Sequence, residues 1–138
     1  MIYHNGGDDF QGLELAVRQT TAALRPHRAD FDSIVVTGVS GQCVGFPVAL
    51  RLRKPIVVLR KKTDPTHGGP GALLNRRSMG TRVVFVDDFV ADGNTLKLCQ
   101  TAVERHGGTI AYVYLYRDGE LAWSPGTVSA DFGSSVAF

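Results

Sequence analysis

Four short apolar runs constrain this chain more than any other feature: Ile34-Val35-Val36-Thr37, Pro55-Ile56-Val57-Val58-Leu59, Val83-Val84-Phe85-Val86 and Ile110 to Tyr116. Each is shorter than an ordinary helix, rich in β-branched or aromatic residues, and free of alternating charge. They therefore read as strands buried on both faces. Helical patterns stand between them. Leu13, Ala16, Val17, Thr20 and Leu24 lie on one helical face, preceded by the capping pattern Asp8-Asp9-Phe10-Gln11 and closed by Pro26. Gly41-Gln42-Cys43-Val44-Gly45 reads as a loop feeding a helix that ends near Arg53, with Pro47 in its first turn. Asn94 to Arg105 sets Leu96, Cys99, Ala102 and Val103 on one face and stops at Gly107.

Strands alternating with helices, the strands apolar throughout, predict an α/β fold: a single domain over 1–138, with a mainly parallel sheet and helices on both faces. The length suits one domain. Residues 63–80, with Pro65, Gly68, Gly69, Pro70 and Gly71, are turn-rich with little core, as in a functional or disordered loop. The tail from Arg117 is polar and turn-rich, with one weak strand near Thr127–Ser129.

Composition closes several doors. Hydrophobic residues at 43% against 20% charged exclude disorder by low hydrophobicity. A net charge of +2 gives no basic field for nucleic acid, which disfavours an RNA-binding regulator. No apolar stretch approaches the ~20 residues of a membrane span, and Met1 to Gly7 lacks the pattern of a signal peptide. Two cysteines, Cys43 and Cys99, make no disulfide framework, and the four histidines are scattered, so no zinc site is expected. The default setting is soluble, reducing and cytoplasmic.

In a parallel sheet, ligands bind at the carboxyl ends of the strands. The sequences to inspect there are Thr37–Gly41, Arg60–Lys62, Asp87–Thr95 and Arg117–Asp118. The sharpest runs from Val83 to Leu96: a buried strand delivers Asp87 and Asp88 to its tip, and a short loop with Gly93 and Thr95 opens a helix. Helix N-terminal amides beside a Thr hydroxyl suit a phosphate. The acids would repel a bare phosphate, so they suit sugar hydroxyls or a hydrated Mg²⁺ instead.

This stretch resembles the signature of the type I phosphoribosyltransferases, which use 5-phosphoribosyl-1-pyrophosphate (PRPP): an apolar strand, two acids, then a Thr/Ser-Gly-x-Thr phosphate loop. A looser likeness covers about residues 31–118. The resemblance implies that Asp87 and Asp88 bind the ribose hydroxyls and, through them or through water, Mg²⁺. It also implies that Ala91, Asp92, Gly93, Asn94 and Thr95 cradle the 5′-phosphate. Thr37, Gly38, Val39, Ser40 and Gly41 lie where the family keeps its pyrophosphate loop, although a plain strand–helix turn reads the same way. The family often places Arg or Lys in this loop, and here there is none.

Arg60-Lys61-Lys62, followed by His67-Gly68, resembles the mobile loop of orotate phosphoribosyltransferases. By that resemblance Arg60 contacts PRPP, Asp87 and Asp88 are catalytic, and Lys61, Lys62 and His67, also catalytic, close over PRPP and neutralise the departing pyrophosphate. Asp64 and Pro65 stand where a further Lys is expected, and Asp92 where the family offers Thr or Ser. The hypoxanthine branch carries Asp at the position of Ala91, so adenine or orotate is the better acceptor. Tyr112, Tyr114 and Tyr116 alternate and read as packing. Trp123 has two readings, packing over the core and stacking on a base, of which packing is the simpler.

The expected function is transfer of ribose 5-phosphate from PRPP to a nucleobase with Mg²⁺, by a cytoplasmic homodimer that binds neither nucleic acid nor membrane. The alternative is a PRPP- or nucleotide-binding regulator with little turnover.

Overall fold

The β-branched runs become the centre of a sheet because their side chains find apolar partners on both faces. The computed structural model describes residues 10–60, 72–89, 93–117 and 119–123. Helix α1 (Phe10–Leu24) leads through a 3-10 turn (Arg25–Asp30) into β1 (Ser33–Thr37), α2 (Gly38–Leu52) and β2 (Ile56–Leu59). Then come β3 (Leu73–Leu74), β4 (Arg82–Asp87), α3 (Asn94–Arg105), β5 (Thr109–Leu115) and β6 (Glu120–Trp123). The sheet order is β3-β2-β1-β4-β5-β6. β2, β1, β4 and β5 are parallel, and the two outer strands are antiparallel to their neighbours.

Period-2 alternation sorts the core. Ile34, Val36, Val84 and Val86 meet Val17 and Leu24 of α1 and Val44, Val48 and Leu52 of α2. Val35, Val83 and Phe85 point the other way, against Leu96, Cys99, Ala102 and Val103 of α3. Helices thus cover both faces, as the apolar strands predict. Between Val83 and Val84 the partner on β5 jumps from Ile110 to Tyr112. That extra residue puts Ala111 and Tyr112 on the α1/α2 face, where Tyr114 follows. The expectation that the tyrosines share a packing face holds, with Tyr116 partly buried against the same cluster.

Three local readings change. Helix α2 begins at Gly38, directly at the strand end, so Gly41 to Gly45 is helix rather than loop and Pro47 lies mid-helix. The glycines serve close packing: a Cβ on Gly45 would lie 2.4 Å from Val36 Cγ1. At the other end Arg53 adopts the left-handed conformation (φ 55°), Lys54 N–H donates to the Ala49 carbonyl (3.0 Å), and Arg28 Nε donates to that of Leu52 (2.5 Å).

The second change falls within 63–80. Leu73 pairs with Leu59, and both Leu73 and Met79 are buried, so the part from Ala72 onward carries core. Third, β6 forms where the tail was read as turns, after Gly119 at φ 71°. The Asp118-Gly119 dipeptide is the hairpin signal in the sequence. The Asp8–Gln11 capping pattern and the strand near Thr127–Ser129 fall, wholly or in part, outside the described residues. No helix among the described residues is long and apolar enough to cross a membrane.

At the amino edge, Asp32 staples β1 to β4. Its Oδ2 accepts the N–H groups of Thr81 (2.9 Å) and Arg82 (3.0 Å) and the Thr81 hydroxyl (3.3 Å). The Arg82 N–H, then that of Thr81, hold its carboxyl below the ordinary value of 3.8. A carboxyl depressed on folding stabilises above its unfolded value and loses that contribution as pH falls through the folded one. Asp32→Ala should therefore cost about 1 kcal/mol at pH 7, less than the roughly 1.5–3 kcal/mol of a shielded bond to a charged group because the site is exposed. In urea melts the gap to the parent should close below about pH 4; an equal gap at pH 3 and pH 7 would contradict this origin.

Candidate functional site

Strand order decides where the chain has room for a ligand. From β1 the chain crosses through α2 to β2 on one side, and from β4 through α3 to β5 on the other. The crossovers diverge between β1 and β4, the switch point at whose carboxyl edge such sheets form their ligand crevice. Thr37 and Gly38 end β1 on one side of it, and Asp87 and Asp88 end β4 on the other.

Both neighbouring helices start at this edge, and neither N-cap residue, Thr37 or Gly93, caps its helix through a side chain. Helix α2 follows Thr37 with Gly38 at φ 68°, and α3 follows Gly93 at φ 85°. Neither carries an acidic residue in its first turn. The opening N–H groups of a helix have no acceptor within it, and its dipole is positive at that end. Two electropositive helix N-termini therefore flank the acid pair.

The acids are turned by their own backbone. Asp87 Oδ1 accepts the Asp88 N–H (2.9 Å), and Asp88 Oδ1 accepts that of Phe89 (2.7 Å). The Ser40 hydroxyl lies 3.4 Å from Asp87 Oδ1, a long hydrogen bond from the first turn of α2 to the tip of β4. Gly41 lets the two approach, since a Cβ there would sit 3.3 Å from the Val86 carbonyl oxygen. Asp88 is buried and Asp87 half-buried.

Of the residues singled out from sequence, Thr37, Gly38, Val39, Ser40, Gly41, Arg60, Asp87, Asp88, Gly93, Asn94 and Thr95 all come to this edge. Thr37 is buried, and its hydroxyl donates to the Leu59 carbonyl (3.0 Å), tying β1 to β2. Arg60 is a buried cation directly after β2, and its backbone N–H donates to Ala72 (2.9 Å). Lys61, Lys62, His67, Ala91 and Asp92 lie outside the described residues.

Two contacts at this edge have no role assigned from the sequence. The Arg117 guanidinium stands 4.9 Å over the Phe89 ring, beside the acids, where the strand-end rule alone pointed. The Tyr116 hydroxyl donates to the Ser40 carbonyl (2.9 Å), which a tyrosine in an apolar run does not announce.

The chemistry is that of oxygen donors and backbone amides. Burial foremost, then the Asp87 charge, pushes the Cys99 thiol far above its usual range, so it supplies no thiolate. Among the described residues no three His, Cys, Asp or Glu side chains gather as a metal-binding group. Two adjacent carboxylates still fit Mg²⁺, which takes one or two protein oxygens and fills its shell with water and substrate phosphates.

An acid pair between two helix N-termini stands at the carboxyl edge of a parallel sheet, and the fold is that of the type I phosphoribosyltransferases. Adenine phosphoribosyltransferase from Trypanosoma brucei, solved with AMP, pyrophosphate and ribose-5-phosphate, superposes with a TM-score of 0.66 at 18% identity, over 86% of this chain and 59% of that one. Orotate phosphoribosyltransferase from Aeropyrum pernix gives 0.62 at 20% identity, over 78% and 60%.

By sequence, the chain is 33% identical over 115 residues to the adenine phosphoribosyltransferase of Agathobacter rectalis, covering 74% of this chain and 65% of the relative. It is 26% identical over 108 residues to the orotate phosphoribosyltransferase of Archaeoglobus fulgidus, covering 78% and 59%. The chain thus spans less than two thirds of the length of these relatives. No family model matches it.

Proposed function

We propose that this chain transfers ribose 5-phosphate from PRPP to a nucleobase nitrogen, releasing pyrophosphate. The observation that carries the reading is the placement of two helix N-termini beside Asp87 and Asp88 at one edge of the sheet. PRPP presents matching groups: a pyrophosphate at C1, two ribose hydroxyls and a 5′-phosphate. In this reading the opening turn of α2 receives the pyrophosphate, Asp87 and Asp88 accept hydrogen bonds from the hydroxyls, and Gly93 to Thr95, with Ala91 and Asp92, receive the 5′-phosphate.

The bond from C1 to the pyrophosphate oxygen breaks as the bond from the base nitrogen forms, and the ribose carries oxocarbenium character between them. Positioning and stabilisation of the leaving charge then supply most of the rate. Arg60, with Lys61, Lys62 and His67, neutralises the departing pyrophosphate. Mg²⁺, held through water or the ribose hydroxyls at Asp87 and Asp88, screens the pyrophosphate charge when bound. Ala91 favours adenine or orotate over hypoxanthine, and relatives of both kinds support that choice. No observation favours a regulator without turnover.

The reading extends to a single-domain homodimer in a reducing, cytoplasmic setting. Val39, Cys43, Phe46 and Leu50 are exposed at 4-3-4 spacing on α2, with Val39 78% and Leu50 80% accessible. Such an uncharged seam suits pairing with a second copy, which light scattering reads directly. The activity is tested by pyrophosphate release from PRPP and Mg²⁺ with adenine, orotate and hypoxanthine in turn. Release with adenine or orotate is expected; none with any base would sink the transferase reading.

A further inference from the structure

Tyr116 touches both halves of the crevice. Its backbone N–H donates to the Asp87 carbonyl (3.0 Å), extending the pairing of β5 with β4 past the end of the strand. Its ring packs partly buried against the α1/α2 cluster. Its hydroxyl then donates to the carbonyl of Ser40 (2.9 Å), in the first turn of α2. One residue thereby ties the acid-bearing strand to the helix terminus opposite.

A second link across that gap is the long contact from the Ser40 hydroxyl to Asp87, at 3.4 Å. It joins a rotatable side chain to a carboxylate, and a ligand hydroxyl competes for the same oxygen. The Tyr116 bond reaches the backbone itself, at the carbonyl of Ser40. Gly38 sits at positive φ and Val39 is exposed, so the first two residues of this turn add little packing to hold it.

We propose that Tyr116 is a positioning residue, whose hydroxyl fixes the opening turn of α2 at the spacing from Asp87 that a diphosphorylated sugar requires. The inference rests on the PRPP reading of the crevice and acts through the amides of that turn. It predicts a selective defect at the pyrophosphate end of the ligand.

The test compares the parent chain with Tyr116→Phe, which keeps the ring and removes only the hydroxyl. Inorganic pyrophosphate and PRPP are titrated by calorimetry with Mg²⁺, and KM is measured for PRPP and for the base. The variant should bind pyrophosphate and PRPP about three- to tenfold more weakly, the effect of one lost hydrogen bond, with the base KM unchanged. Its circular dichroism should match the parent. Equal pyrophosphate affinity in the two proteins, or an equal rise in both KM values, would overturn the inference and leave the crevice reading standing. A variant that loses its fold would make the hydroxyl structural, and also overturn it. A parent chain that binds neither PRPP nor pyrophosphate would end the crevice reading and this inference with it.

Discussion

Asp87→Asn and Asp88→Asn together should weaken PRPP binding by about two orders of magnitude or more while the fold persists. Asparagine can still present an Oδ1 to the N–H groups of Asp88 and Phe89, so the local turn keeps its two bonds at 2.9 and 2.7 Å. What disappears is charge. Hydrogen bonds to a charged acceptor are worth roughly 1.5–3 kcal/mol each, and two of them make about a hundredfold at the low end. Burial of Asp88 enlarges the effect, because a shielded carboxylate acts through a lower dielectric than one in water. Calorimetric titration with PRPP and Mg²⁺ measures this directly. A double variant with parental affinity would place the ribose elsewhere.

The largest stability effect is expected at Gly45. Its position allows α2 to lie on β1 so closely that a Cβ would meet Val36 Cγ1 at 2.4 Å. Val36 cannot yield, since it is fully buried between α2 and the neighbouring strands. Gly45→Val adds three carbons to this contact. Overpacking of that kind costs about 3 kcal/mol, and the better helix preference of Val over Gly returns only a few tenths. For a chain of this size the melting temperature should fall by roughly 10 °C. An unchanged melting temperature would mean that α2 moves off the sheet without cost.

Gly45 also shows where sequence reading fails. The strands were legible because Ile34 to Val36 and Val83 to Val86 have apolar neighbours on both faces, which a continuous β-branched run requires. Their order followed less directly, through the helices between them. The start of α2 was not legible, because Gly41 and Gly45 carry the same letters as a loop. Their four-residue spacing puts both on the helix face against Val36, and only the packing reveals that. Leu73 and Met79 were hidden by the surrounding glycines and prolines, yet both are buried under the sheet edge.

The site divides along the same line. Asp87, Asp88 and the turn from Thr37 to Gly41 were legible because strand ends in a parallel sheet share one edge. Tyr116 was not, because its hydroxyl acts on Ser40 from 76 residues away in the chain. Nothing local marks such a bond.

The most direct measurement is a crystal structure of the chain grown with PRPP and Mg²⁺. The pyrophosphate should lie against the opening turn of α2 at Gly38 to Ser40, the ribose hydroxyls on Asp87 and Asp88, and the 5′-phosphate at the start of α3. PRPP bound away from the crevice between β1 and β4, or pyrophosphate held without any contact to the α2 terminus, would contradict this placement.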